Sequence, residues 1–507
     1  LDVQTRKNIN GKPVVITAHG KLDSHKLLNQ LGMPASNQIN GQTDWRGSFI
    51  LPYIRNNKFM PARLQITSDL QGVGIDFPAP LFKESNDIRD FVFNAQLEEN
   101  RTILRLTNTN RVSAAVQLDT RTEKLRLAKA FLHFGDGIAE LPDNNVIKIT
   151  GHLEKFRLFP WINALEQGDA AVTDSFVSLP LVFDMQKLQL AAVEEDVDNK
   201  NSPDKREPLK SDKVPEISGT IKHIAYDDIS IGQLEFKTSR LDSGYGIKLD
   251  KLLLKGEQLQ IEADGLWREY SNRHSSLLNL DLRSPDLGKM LTALGFSAIL
   301  QGGETHITGS LKWPDTPAEI SLSNMEGSFH EKIKDGAIVS VEPGAGRLLG
   351  LFSLAALPRR LIFDFSDAFG KGLHFDTVEG DVYIRNGSLF MDKNIMKSPL
   401  AQVTIDGRTG LADRDFDQNI VVVPQGGDAL SVMAGGMVFG PQIGAAILLI
   451  QKLIGTEIGE AIAMKYHIGG TWEVPVITRL DKPEKAKEVN PDEVEPETQG
   501  QNNEYLL

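Results

Sequence analysis

The sequence contains no cysteine in its 507 residues. That excludes disulfide scaffolds, Cys-ligated zinc, iron–sulfur clusters and thiol catalysis. Aromatic residues are only 7 %, so any large apolar surface has to be built from Leu, Ile and Val. Positive charge is not in excess: the net charge is −13 and no basic stretch dominates, which gives no footprint for nucleic acid. The opening residues, Leu1 to Lys12, are polar, start without Met and hold no apolar signal-peptide core. Also missing are the Gly-x-Ser-x-Gly elbow, the Walker A loop, the GxGxxG fingerprint and HExxH. The ten histidines are scattered without ligand spacing. No catalytic residue, metal site or cofactor is expected.

The chain is too long for one compact core, so it implies several domains or one long repetitive body. Its negative charge is uneven. Residues 194–216 are net −3 and residues 481–507 net −5, so the rest is close to balanced. Both stretches are nearly devoid of large apolar residues and read as a disordered linker and a disordered acidic tail.

What dominates is period-2 alternation, the mark of strands with one dry and one wet face. It runs through Ile229-Ser230-Ile231, Ile247-Lys248-Leu249-Asp250 and Leu259-Gln260-Ile261-Glu262. It returns at Leu361, Phe363 and Phe365, at Val382 and Ile384, and at Val403 and Ile405. Asn386-Gly387 suits a type I′ hairpin. The fold expected is mainly β: an elongated antiparallel, repetitive sheet of roughly 30 strands, with a few short helices. Ser284-Pro285-Asp286 reads as the start of a helix over 285–294 that Gly295 stops. Shorter helices are expected from Ser24 to Leu31 and from Pro160 to Leu165.

Two features invite chemistry. Asp413, Asp415 and Asp417 resemble the start of a calcium loop, but Gln418 stands where Gly is needed and Pro424 where Glu is needed. A hairpin turn is the plainer reading. Asp364 and Asp367 lie near Asp376, and paired carboxylates could do acid–base work, but in an alternating strand Asp364 simply takes the wet face. From Ala429 to Gln451 the chain has no charge over 23 residues, enough to span a bilayer by count. Glycines and Pro441 interrupt it, and an apolar stripe follows at helical spacing. The stretch 429–465 fits a helix touching a membrane or capping an apolar groove, a buried core segment, or a span. The dry face of the strands likewise has two readings: the core of a sandwich, or a surface for acyl chains.

Residues 343–480 resemble the YhdP branch of the AsmA-like family. The resemblance rests on Pro343-Gly344-Ala345-Gly346-Arg347-Leu348-Leu349-Gly350, Leu357-Pro358-Arg359-Arg360-Leu361, Gly370-Lys371-Gly372, Ser398-Pro399, Asp417-Gln418, Gln451-Lys452-Leu453 and Gly470-Thr471-Trp472. The resemblance implies a curved, trough-like sheet in the periplasm of a Gram-negative envelope. It implies phospholipid movement between inner and outer membranes, with an inner-membrane anchor helix upstream of this chain and other envelope proteins as further partners. A periplasm-spanning scaffold without a conduit is the alternative. The expected organisation is β-rich segments 1–193 and 217–342, a linker 194–216, the family-like region 343–480 and a tail 481–507. The lipid-lining residues expected are Ile229, Ile231, Leu234, Phe236, Ile247, Leu249, Leu259, Ile261, Leu361, Phe363, Phe365, Phe375, Val382, Ile384, Val403 and Ile405. Val438, Phe439, Ile443, Ile447, Ile450 and Ile454 are expected to meet the outer membrane's inner leaflet.

Overall fold

The computed structural model describes residues 2–6, 13–30, 38–108, 111–121, 126–157, 178–190, 209–242, 244–271, 273–296, 298–339, 373–399, 401–425, 463–472 and 474–480. The expected helix from Pro160 to Leu165 lies outside these residues, as does the stretch 429–465 up to residue 462; its last two residues, Met464 and Lys465, open a strand rather than end a helix.

Strands β1 (Asp2–Arg6), β2 (Val15–Asp23) and β3 (Ile39–Ile50) pair antiparallel in chain order. Helix α1 (Ser24–Gln30) leaves β2 with Asp23 accepting from the Lys26 amide, which satisfies one of its free donors. Beyond β3, the short β4 (Tyr53–Arg55) and β5 (Lys58–Met60) form a hairpin of their own. Asn56 and Asn57 turn it with φ of 51° and 56°, the left-handed pair a type I′ turn demands. The main sheet resumes with β6 (Ala62–Ser68), which pairs β3, while β7 (Val73–Ile75) returns to the start of β3. Then come β8 (Phe91–Leu97), β9 (Arg101–Asn108), β10 (Val112–Asp119) and β11 (Arg126–Phe134), all antiparallel.

The antiparallel order then breaks. β11, β12 (Ile147–Phe156), β13 (Leu181–Leu190) and β14 (Ile217–Tyr226) are joined by three parallel pairings. The expectation of an antiparallel sheet therefore holds on both sides of this block and fails within it. The cause is loop length: each of these three connections is long enough to run back along a strand, which a hairpin turn cannot do.

From β14 onward every neighbour is again antiparallel. The strands are β15 (Ile229–Arg240), β16 (Gly246–Lys255), β17 (Gln260–Tyr270) and β18 (Arg273–Ser284). After helix α2 (Leu287–Ala293) come β19 (Leu300–Trp313), β20 (Glu326–Ile338), β21 (Leu373–Arg385) and β22 (Ser388–Lys397). β23 (Ala401–Gly410), β24 (Asp415–Pro424), β25 (Met464–Gly470) and β26 (Pro475–Arg479) complete the sheet. One 24-stranded sheet results, and among the described residues its first and last strands each pair on one side only.

The turns follow their residues. Asn386 and Gly387 both have positive φ between β21 and β22, as expected of that dipeptide. Asp413 and Arg414 lie in the β23–β24 turn, and Arg408 pairs with Asp415, so the apparent calcium loop is a hairpin. The start of α2 differs from expectation. Asp286, not Ser284, is the N-cap and accepts from the Lys289 amide, while Ser284 Oγ accepts from the Asp286 amide. Gly295, with φ of 86°, ends the helix as read from sequence.

The linker reading of 194–216 needs correcting at its C-terminal end. Ser211 is buried, and its amide and hydroxyl both donate to Glu269 Oε2 at 2.8 Å. Arg240 donates to the Val214 carbonyl at 2.8 Å. Charged partners that saturate its hydrogen bonds let a short polar segment dock with little apolar burial, here Pro215 and part of Val214.

The parallel join also gives the connection a length requirement. Because Leu181 pairs with Ile217 and Leu190 with Tyr226, the segment between β13 and β14 must run back along ten residues of strand, about 33 Å. Deleting 196–208 leaves thirteen connecting residues, which reach roughly 45 Å. Deleting 196–213 leaves eight, which reach roughly 28 Å, and removes Ser211. The shorter deletion should leave the thermal midpoint within about 2 °C, and the longer should lower it by at least about 5 °C. Equal midpoints in calorimetry would contradict the docked crossover.

Candidate functional site

Side chains of directly paired residues stand on the same face of a sheet. Following the pairing from strand to strand therefore traces single rows across the molecule. One row runs Ala18, Gly47, Ile66, Phe93, Leu106, Ala114, Leu132, Ile149, Phe183, Gly219 and Phe236. It goes on through Leu252, Ala263, Leu280, Gly309, Phe329, Val382, Met391, Gly407, Gln418, Ile468 and Ile477. Only Gln418 is polar, and it is buried with its Nε2 donating to Thr409 Oγ1 at 2.7 Å.

A row on the opposite face reads differently: His133, Thr150, Asp184, Thr220, Glu235, Leu253, Glu262, Asp281, Thr308, His330, Asp381 and Asp392. Exposed ion pairs tie this wet face together, including Lys251–Glu235 at 2.9 Å and His330–Asp381 at 2.9 Å. Such pairs add little stability. They keep the face soluble.

Three of the glycines in the dry row, Gly47, Gly219 and Gly309, are crowded by aromatic residues. Phe183 and Phe236 flank Gly219, with ring centroids 5.9 Å apart. A Cβ on Gly219 would come within 2.5 Å of Phe183, and one on Gly309 within 2.4 Å of Phe329. Glycine lets rings lie across the backbone, so the strip stays level where side chains change size.

The strip has an open and a closed part. Leu234, Phe236, Leu252, Leu254, Ile261, Leu278, Leu280, Leu282 and Leu311 are only half-buried. Towards the C-terminus the same face is shut: Met396, Ile405, Ile420 and Ile468 are 0 % exposed. Leu287, Met290 and Leu291 of α2 belong to that closed cluster. In the β10–β14 region Leu81, from the loop between β7 and β8, packs against the cluster that holds Phe134, Met185 and Ile221.

Next to the central row lies a second: Met185, Ile221, Leu234, Leu254, Ile261, Leu282, Ile307 and then Glu331. Glu331 is a lone acid in apolar company, where the open part gives way to the closed one. Its Oε1 accepts from Asn394 Nδ2 at 2.7 Å. Asn394 is 2 % exposed and its Oδ1 has no partner among the described residues. Desolvation pushes the Glu331 carboxyl above the ordinary range, against the opposing pull of Asn394 and His330. Across from it stands Gly380, where a Cβ would come within 2.4 Å of Asn394 Oδ1. The missing side chain makes room for the amide. Among the described residues no group of three or more His, Asp or Glu could hold a metal ion.

Of the residues singled out from sequence, Ile231, Leu234 and Phe236 share one cluster on the dry face. A bulge at Gly232 lets both Ile231 and Leu234 point that way. Leu249 and Ile261 continue the face, Ile229 and Leu259 are half-buried, and Ile247 is buried beside Trp267. Ile384 is half-buried in the Leu249–Leu278–Leu311 row. Phe375, Val382, Val403 and Ile405 stand in the closed cluster, with 0–7 % exposure. They are core side chains there, because in that region the dry face is shut by packing. Leu361, Phe363, Phe365, Val438, Phe439, Ile443, Ile447, Ile450 and Ile454 lie outside the described residues. Sequence reading missed Phe93, Leu106, Leu132, Ile149 and Phe183, although Leu104-Arg105-Leu106 carries the alternation. It also missed Glu331, whose signal was its place between Phe329 and Ile333 at the apolar spacing.

A carboxyl raised in the fold binds its proton more tightly folded than unfolded. It therefore stabilises the fold fully below its ordinary value of 4.5, and that contribution is lost as pH rises through the folded value. Glu331→Gln should raise the thermal midpoint at pH 8, and the gain should shrink towards pH 4. A difference that does not change with pH would contradict the desolvated placement.

The YhdP family model, described as "YhdP protein", matches residues 1–191 and 167–477. Among curated proteins, the intermembrane phospholipid transporter YhdP of Escherichia coli (strain K12) is 28 % identical over 258 residues. The match covers 50 % of this chain and 20 % of that protein, so the chain spans about a fifth of that relative's length. No solved structure matches the chain.

Proposed function

As the chain belongs to the YhdP family, matched across nearly its whole length, we propose that it is a section of a phospholipid conduit between the two membranes of a Gram-negative envelope. The carrying observation is the dry row, unbroken by charge from Ala18 to Ile477. Acyl chains lie against the open part of it, and headgroups stay in water beyond the strand ends. Each methylene that leaves water gains roughly 0.8 kcal/mol. The gain is similar at every step along that part, so a lipid meets no deep well in which to stall. The relative that matches is named for intermembrane phospholipid transport, and that activity fits a surface without catalytic groups.

The open part between β14 and β19 is the lipid-bearing section in this reading. The closed part past β20 favours a second role, a rigid scaffold with its dry face sealed by its own side chains. The two roles belong to different stretches of one sheet. On this reading the chain works in the periplasm, with phospholipid as its cargo. No helix among the described residues is long and apolar enough to cross a membrane.

A photo-crosslinking amino acid in cells expressing the chain tests the reading. At Leu249, on the dry face, it should give phospholipid adducts. At Lys248, one residue away on the wet face, and at Ile405, fully buried, it should give few. Equal yields at Leu249 and Lys248 would overturn the conduit.

A further inference from the structure

The β4–β5 hairpin belongs to no part of the main sheet. It extends the β3–β6 pair past their ends, where Ile50 pairs with Arg63. Ile54 and Phe59 face each other across it and are 70 % and 68 % exposed. Two large apolar side chains held side by side, on a hairpin that no described residue covers, are costly in water unless another surface receives them. The next pair, Arg55 and Lys58, is exposed and points to the opposite face.

The charge around this tip is one-sided. From Trp45 to Ser68 there are four cations, Arg46, Arg55, Lys58 and Arg63, and no acid, in a chain of net charge −13. The nearby turn after β8 holds two acids, Glu98, paired with Arg101 at 2.6 Å, and the exposed Glu99, so with Arg101 counted the cations still outnumber the acids there. A flat apolar protein surface would match Ile54 and Phe59 but not the cations. An anionic bilayer surface matches both, because phosphates lie just above the apolar layer.

We propose that the β4–β5 hairpin is a membrane-docking finger. Ile54 and Phe59 enter the apolar edge of an anionic phospholipid surface, and Arg55 and Lys58 meet its phosphates. The finger projects from one edge of the sheet near its N-terminal end, so it sets where that edge meets lipid. This goes beyond the conduit reading and stands or falls separately from it, because docking needs no lipid on the dry face.

The absence of cysteine makes the test clean. Ile54→Cys in the full chain takes a single environment-sensitive fluorophore. With vesicles containing phosphatidylglycerol its emission should shift to the blue and rise about twofold, and lipids carrying shallow acyl-chain quenchers should reverse the rise. Pure phosphatidylcholine vesicles should give a much smaller response. In the labelled chain, Arg55→Glu with Lys58→Glu should lower binding near the tip by roughly tenfold or more. Ile54→Asp with Phe59→Asp should reduce vesicle flotation, with the β-signal in circular dichroism intact because both positions are exposed. An unchanged emission on anionic vesicles overturns the proposal, even if the chain floats, since binding then occurs elsewhere. A response equal on neutral and anionic vesicles overturns the assignment of the cations.

Discussion

A strand's pleat places alternate side chains on opposite faces, and every other property of this sheet depends on its neighbours keeping that alternation in step. A slip of one residue in any strand would turn its apolar set to water and its charges to the dry side. The molecule is thus a long sum of local register choices. Bulges absorb the mismatches. Those between Lys237 and Thr238, between Glu379 and Asp381 and between Met391 and Asn394 each insert a residue and restore the apolar row on the far side. In a sheet this long, a dry row that survives every such correction points to a use for the row itself.

That use sets different demands on the two parts of the face. Where Leu234, Leu252 and Leu280 are half-exposed, the sheet leaves apolar surface uncovered, at a cost that an acyl chain would offset. Where α2 and the later strands close over Met396 and Ile420, burial is complete and the contribution is to stability. Glu331 and Asn394 lie at the boundary, a polar pair in a place where the pattern calls for two apolar residues. Their partial satisfaction costs stability, and it places an ionisable group where the open part of the dry face gives way to the closed one.

Much of this was legible in the sequence, for a physical reason. Alternation such as Leu259-Gln260-Ile261-Glu262 reports directly on which face a residue takes, and Asn386-Gly387 reports on its turn. What alternation cannot report is the partner of each strand. The parallel block β11–β14 was read as antiparallel because direction depends on how far a connection travels, not on the strands themselves. Docking of Ser211 was missed because its partners, Glu269 and Arg240, are distant in sequence. Phe375, Val403 and Ile405 show the same limit: their alternation is that of Leu249, and only tertiary packing separates core from open surface.

The central claim is that the open stretch of the dry row carries acyl chains. A cryo-EM map of the chain, extracted with its native lipids and kept from harsh detergent, tests it most directly. The account predicts elongated density running along Phe236, Leu252 and Leu280, with lipid mass spectrometry of the same sample returning phospholipid. A map in which that face is bare, or is sealed by protein from end to end, would contradict it.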